Sequence, residues 1–326
     1  MSEISTLAIL QQLDRQRLKE NPYSPHSLAD EDENTRRQYC ALLFMVLLNQ
    51  GPIGEDQQRM LQLWLPTINM EGRQAELFQM AVKLSQEGLA EAIDTVRDAG
   101  GNHCFMLDCL VFSRVNAPLT QSQVTLFEAL AQMLNIGEVQ MDTIVYLTCL
   151  IIGLPVENRK PRHLALGLHA LSVWHEFLTS YIDQLFSELK EWARENDVSQ
   201  ISLRKNISDL AGITTLDLYP SSWKNIAPFP AGLSLLVNLD WLGFDSFKIT
   251  EFPDSNVLPQ TLGGINIGGY GQISRLPDSI CHLKKLKKLS MPGSNLKSVS
   301  EKVYLFLKNN AIEHSISDSC FIKGPQ

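Results

Sequence analysis

The 326-residue chain holds only six cysteines and is short of positive charge, with 28 Lys+Arg against 36 Asp+Glu. Cys40, Cys104, Cys109, Cys149, Cys281 and Cys320 sit mostly inside apolar stretches, with no Cys-x-x-Cys pair and no grouped histidines. That pattern argues against a zinc site or a disulfide framework, and the thiols read as reduced core residues. The negative excess lies at the front: residues 1–155 hold 19 acidic and 10 basic side chains, the remainder 17 and 18. A surface of that sign repels a phosphate backbone, so nucleic acid is not expected as a partner.

The longest apolar stretches, Ala41–Leu48 and Ile144–Leu154, fall well short of the roughly 20 residues that a spanning helix needs. They read as buried helices, and no integral membrane segment is expected. The first residues show no basic region followed by an apolar stretch and a small-residue cleavage site, so a cytoplasmic location is expected. Catalytic motifs are missing too. No G-x-S-x-G, H-E-x-x-H or P-loop string occurs, and His103, His163, His169, His175 and His282 have no Cys, Ser or carboxylate at a recognisable catalytic spacing. The glycine-rich run Gly263–Gly271 has no βαβ unit around it. The expectation is therefore a non-enzymatic chain with no catalytic residue, no cofactor, no metal ligand and no small-molecule ligand.

What is present is a folded composition, 44% hydrophobic and 20% charged, in a chain long enough for two cores. Residues 1–33 are polar, with Pro22, Pro25 and the acidic run Asp30–Glu33, and read as a flexible leader. From 34 to 154 apolar residues recur with helical spacing: Leu42, Leu43, Val46 and Leu47, then Met60, Leu61, Trp64 and Leu65, then Leu77, Met80, Ala81 and Leu84. Two helix-loop-helix stretches look alike at an offset of 66 residues, Leu42–Leu65 turning at Pro52 and Asp108–Ala131 turning at Pro118. In the second, Thr120 and Gln123 form a capping box that sets the helix start.

The stretch Asp108–Gln121, continued by Leu126–Gly137, resembles the second half of a TerB-like domain of the tellurite-resistance family. The likeness covers about residues 35–154 and implies a duplicated all-helical bundle in a stress-response, tellurite-resistance or phage-defence setting. Gln50-Gly51 and Asn116-Ala117 stand where that family usually carries Asp-Gly, so the carboxylates that would attract a hard cation are missing. Asp108 reads as a helix cap in preference to a metal ligand.

A polar linker follows at 155–163, then Leu164, Leu168, Leu171, Trp174, Leu178, Tyr181, Leu185, Leu189 and Trp192 recur every three or four residues. They predict one long amphipathic helix within a helical N-terminal cap at 164–208. From 209 to 326 the pattern changes to short apolar strands at Leu216-x-Leu218, Leu242-x-Phe244, Ile265-x-Ile267 and Leu289-x-Met291, spaced 26, 23 and 24 residues apart. The lead-in Leu189–Asn196 and the copy Ser279–Met291 resemble bacterial leucine-rich-repeat proteins. The resulting fold class is multi-domain α plus α/β solenoid: an all-helical TerB-like bundle, then a short leucine-rich-repeat solenoid capped by Val303–Leu307.

Side chains between the strand leucines point to the opposite face. Asp217, Tyr219, Trp241, Asp245, Asn266 and Lys288 are therefore the candidate partner-binding residues, with a tryptophan and a tyrosine as anchors. The expected function is a protein-protein interaction adaptor gripping a macromolecule on this face. Two alternatives stay open, a secreted virulence effector with the leader as export signal, and a divalent-metal-binding TerB-like stress protein.

Overall fold

The computed structural model describes residues 23–84, 88–115, 117–156, 160–161, 164–218, 229–244, 252–268, 273–292 and 295–321. The chain forms two compact units. The first is the chain up to Pro161 together with Ala170–Thr179, and the second is Arg162–His169 with everything from Ser180 onward.

The first unit is helical: α1 Glu33–Leu48, α2 Glu55–Trp64, α3 Gln74–Leu84, α4 Leu89–Asp98, α5 Asn102–Arg114, α6 Gln121–Met133 and α7 Glu138–Ile151. Helix α1 starts where Asp32 accepts from the Thr35 amide at 3.0 Å and the Thr35 hydroxyl at 2.7 Å. Its residues Tyr39–Phe44 and those of α5 from His103 to Ser113 are buried without a break. A helix with no wet face belongs inside, and these two form the centre of the unit.

The expected doubling is visible in local geometry. Thr120 begins α6 with the expected capping box, its amide donating to Gln123 Oε1 at 2.7 Å, and at the matching turn the Gly54 amide donates to Gln57 Oε1 at 3.0 Å. Glycine has no hydroxyl to complete the exchange, so α2 has half the device. The ends match as well. Asn69 and Asn135, 66 positions apart, adopt left-handed backbone at φ 56° and 55°, and each is followed by an amide that reaches back five residues, Met70 to Leu65 and Ile136 to Ala131. Asparagine tolerates this conformation, which terminates a helix.

Two sequence expectations change here. The described part of the leader is packed: Leu28 and His26 are buried, and the His26 amide donates to Thr67 O at 3.0 Å. Residues 1–22 lie outside the described residues. The single long helix is also absent, because Leu168–Phe177 is a 3-10 helix and the α-helix, α8, begins only at Thr179 and ends at Glu195. Trp174 lies within the 3-10 segment, and its indole is buried in the first unit's core, as described below.

The second unit carries a parallel sheet in the order β1 Thr215–Leu218, β2 Trp241–Phe244, β3 Gly264–Ile267, β4 Lys288–Ser290 and β5 Glu313–His314. Leu216, Leu242, Ile265 and Leu289 lie side by side in register and are fully buried. Fully burying one such side chain contributes about 1.5–3 kcal/mol. Helix α8 covers this core at one end, and Gly232 allows the close fit. A Cβ at Gly232 would sit 2.4 Å from Leu185 O and 2.8 Å from Leu189 Cβ.

The leucine-rich-repeat solenoid expected from the strand spacing is not what forms. The chain is mainly helical with a small parallel sheet of five short strands, and no solenoid is evident. No strand among the described residues exceeds four residues. The connections are unequal: 3-10 turns Ala231–Leu235 and Asp278–His282 precede β2 and β4, described residues 252–263 before β3 form only turns, and α9, Glu301–Asn309, precedes β5. A near-constant period fixed where strands fall and not what joins them, so there is no uniform repeating unit to stack.

Candidate interaction face

Strand alternation puts the four core residues on one side of the sheet and leaves two rows on the other. The first row is Thr215, Trp241, Gly264, Lys288 and Glu313, and the second is Asp217, Gly243, Asn266 and Ser290. Two glycines make the surface flat in the middle. A Cβ at Gly264 would lie 2.3 Å from Trp241 Cε3, so the indole rests directly on the β3 backbone. A Cβ at Gly243 would lie 2.2 Å from Asp217 Oδ1, so the carboxylate crosses β2 in the same way. Trp241 Nε1 donates to Asp217 Oδ1 at 3.1 Å, which locks the two side chains together across the sheet.

The pair stays in reach of solvent, with Asp217 exposed and Trp241 half-buried. Asp240, also exposed, leans over Gly263 on the neighbouring segment. Asn266 is half-buried beyond the indole. At the far end Lys288 Nζ is 3.0 Å from Glu313 Oε1, turned toward β5. The structure thus brings Asp217, Trp241, Asn266 and Lys288 onto one face, while Tyr219 and Asp245 lie outside the described residues.

Sequence reading missed Glu313. Continuing the strand period past Leu289 would have reached 313, but Glu313-His314 offers no apolar residue to mark a strand.

A second polar cluster lies inside the first unit. Asp108, fully buried in the middle of α5, accepts from Trp174 Nε1 at 2.6 Å on Oδ1 and from Tyr39 Oη at 2.8 Å on Oδ2. His26 Nε2 lies 3.4 Å from Oδ2. The Leu28 amide donates to His26 Nδ1 at 3.0 Å, which leaves the ring proton on Nε2, aimed at the carboxylate. Trp64, Phe105 and Phe112 wall the cluster by edge and stacked contacts. Asp108 is thus neither the helix cap nor the metal ligand weighed from sequence. It is a buried acceptor that joins three segments of chain.

Ser27 Oγ approaches Cys104 Sγ at 3.5 Å beside this cluster, so histidine, serine, thiol and carboxylate are near neighbours. The arrangement does not make a nucleophile. Burial first, and then the Asp108 charge, push the Cys104 thiol up to about 12, and the same two causes raise Cys40 and Cys109. A thiolate needs a lowered value and access, and neither is present. Burial and Asp108 likewise hold Tyr39 well above its ordinary range, so its hydroxyl remains a donor.

Among the described residues no group of three or more His, Cys, Asp or Glu could hold a metal ion, and no helix is long and apolar enough to cross a membrane. Searches with this chain find no match to a protein-family model, a curated protein or a solved structure.

Proposed function

We propose that this chain is a non-enzymatic interaction protein of the cytoplasm that binds a protein partner on the open face of its parallel sheet. One observation carries the reading: a half-buried tryptophan rests its six-membered ring over Gly264 with its indole N–H already held by Asp217. Aromatic anchors pre-set in one rotamer lose little freedom on association, and tryptophan is prominent among residues that dominate binding energy. The flanking rows offer exposed Thr215 and Asp217 and half-buried Asn266 as a polar rim. The stress-response setting that a TerB-like domain implies belongs to the same proposal. Six free cysteines suit a reducing compartment.

Affinity capture of the tagged full chain, with bound proteins identified by mass spectrometry, tests the reading. A partner should be retained by the wild type and by Glu128→Ala, an exposed position of the first unit, and lost with Trp241→Ala. Equal retention by all three proteins would remove the sheet face from the account.

A further inference from the structure

The charges around Trp241 specify what kind of group it takes. Trp241 is half-buried, and its indole N–H donates to a carboxylate, which enriches the ring in electron density. Asp217 itself is exposed. Lys288, the lysine of the same row, is turned away to Glu313 at 3.0 Å. Among the described residues Lys190 lies over Phe186 and Lys308 over Tyr304, and neither reaches Trp241. An electron-rich ring beside a carboxylate, on a floor cleared of side chains by Gly243 and Gly264, fits a cation lying on the indole with its charge toward Asp217.

We propose that Trp241 and Asp217 form a recognition site for a cationic side chain, arginine or lysine, of a basic peptide segment in the partner. The inference rests on the partner-binding reading of this face and narrows it to one chemistry. A planar guanidinium can stack on the indole and still donate to Asp217, so arginine is the stronger occupant. A neutral side chain of the same shape lacks the charge that both partners of the site require.

The test follows the indole N–H resonance of Trp241 in the full chain, identified by its loss in Trp241→Phe, during titration with blocked Gly-Arg-Gly, Gly-citrulline-Gly and Gly-Glu-Gly peptides. The arginine peptide should move the resonance saturably, and the other two should not. Asp217→Asn, which keeps the shape and an acceptor for the indole N–H, should weaken arginine binding at least about fivefold. Equal response to arginine and citrulline, or a stronger one to glutamate, overturns the cation site while leaving the face as a partner surface. No response to any peptide also overturns it, and the capture experiment then decides separately whether the face binds protein.

Discussion

The indole N–H of Trp174 and the carboxylate of Asp108 are joined at 2.6 Å across 66 residues of chain, with both side chains buried. Removing the acceptor strands three donors inside the core. Asp108→Ala should therefore cost about 3–5 kcal/mol, because each buried donor left alone costs about 1–3 kcal/mol and some relaxation is expected. Trp174→Phe, which leaves one oxygen short of a partner but keeps Tyr39 and His26 on the other, should cost less. Urea titration of the full chain checks the order of the two.

The thiols give a second expectation. Cys40, Cys104, Cys109, Cys149 and Cys281 are buried, and Cys320 is partly exposed. One thiol should react quickly with Ellman's reagent in native protein, and six should react in denaturant. Two or more fast native thiols would contradict the burial of the other five.

The raised thiols also set a pH dependence. A Cys104 held at about 12 in the fold ionises more easily in the unfolded chain, so its contribution is whole below the ordinary thiol value near 9. It is lost as pH rises from there toward 12, and Cys40 and Cys109 act in the same sense. Thermal midpoints should fall on the alkaline side of about 9, and Cys104→Ala should reduce the slope of that fall.

Two glycines separate a movable contact from an immovable one. Gly264→Ala brings a methyl against the end of the Trp241 ring, which can swing away, so stability should change by no more than about 1 kcal/mol while the indole N–H loses Asp217. Gly232→Ala meets Leu185 O, a backbone atom, and should cost about 1–3 kcal/mol. Comparable costs at both positions would mean that the indole is not free to leave the glycine floor.

The helices of the first unit were legible because helical spacing and the Thr120–Gln123 box are local signals. Strand positions in the second unit were legible for a related reason, since Leu216, Leu242, Ile265 and Leu289 each open an apolar-x-apolar alternation and do fall in register. The architecture built on that period was not sustained, because spacing says nothing of the unequal turns and helices between strands. Asp108 could not be read at all. Its partners His26, Tyr39 and Trp174 stand 82, 69 and 66 residues away, and no local pattern announces a buried acceptor. At the face, sequence put Trp241 and Asp217 on the outer side, but their hydrogen bond depends on the missing side chains of Gly243 and Gly264.

The central claim is that the row through Trp241 touches a partner. A photo-crosslinking amino acid placed at Thr215, the exposed neighbour of Trp241 in register, tests it most directly in living cells. The account expects a discrete crosslinked product from position 215, absent when the same probe sits at Glu128 and lost when Trp241→Ala is added to the chain. A product that persists with Trp241→Ala, or that forms from position 128 and not from 215, would contradict it.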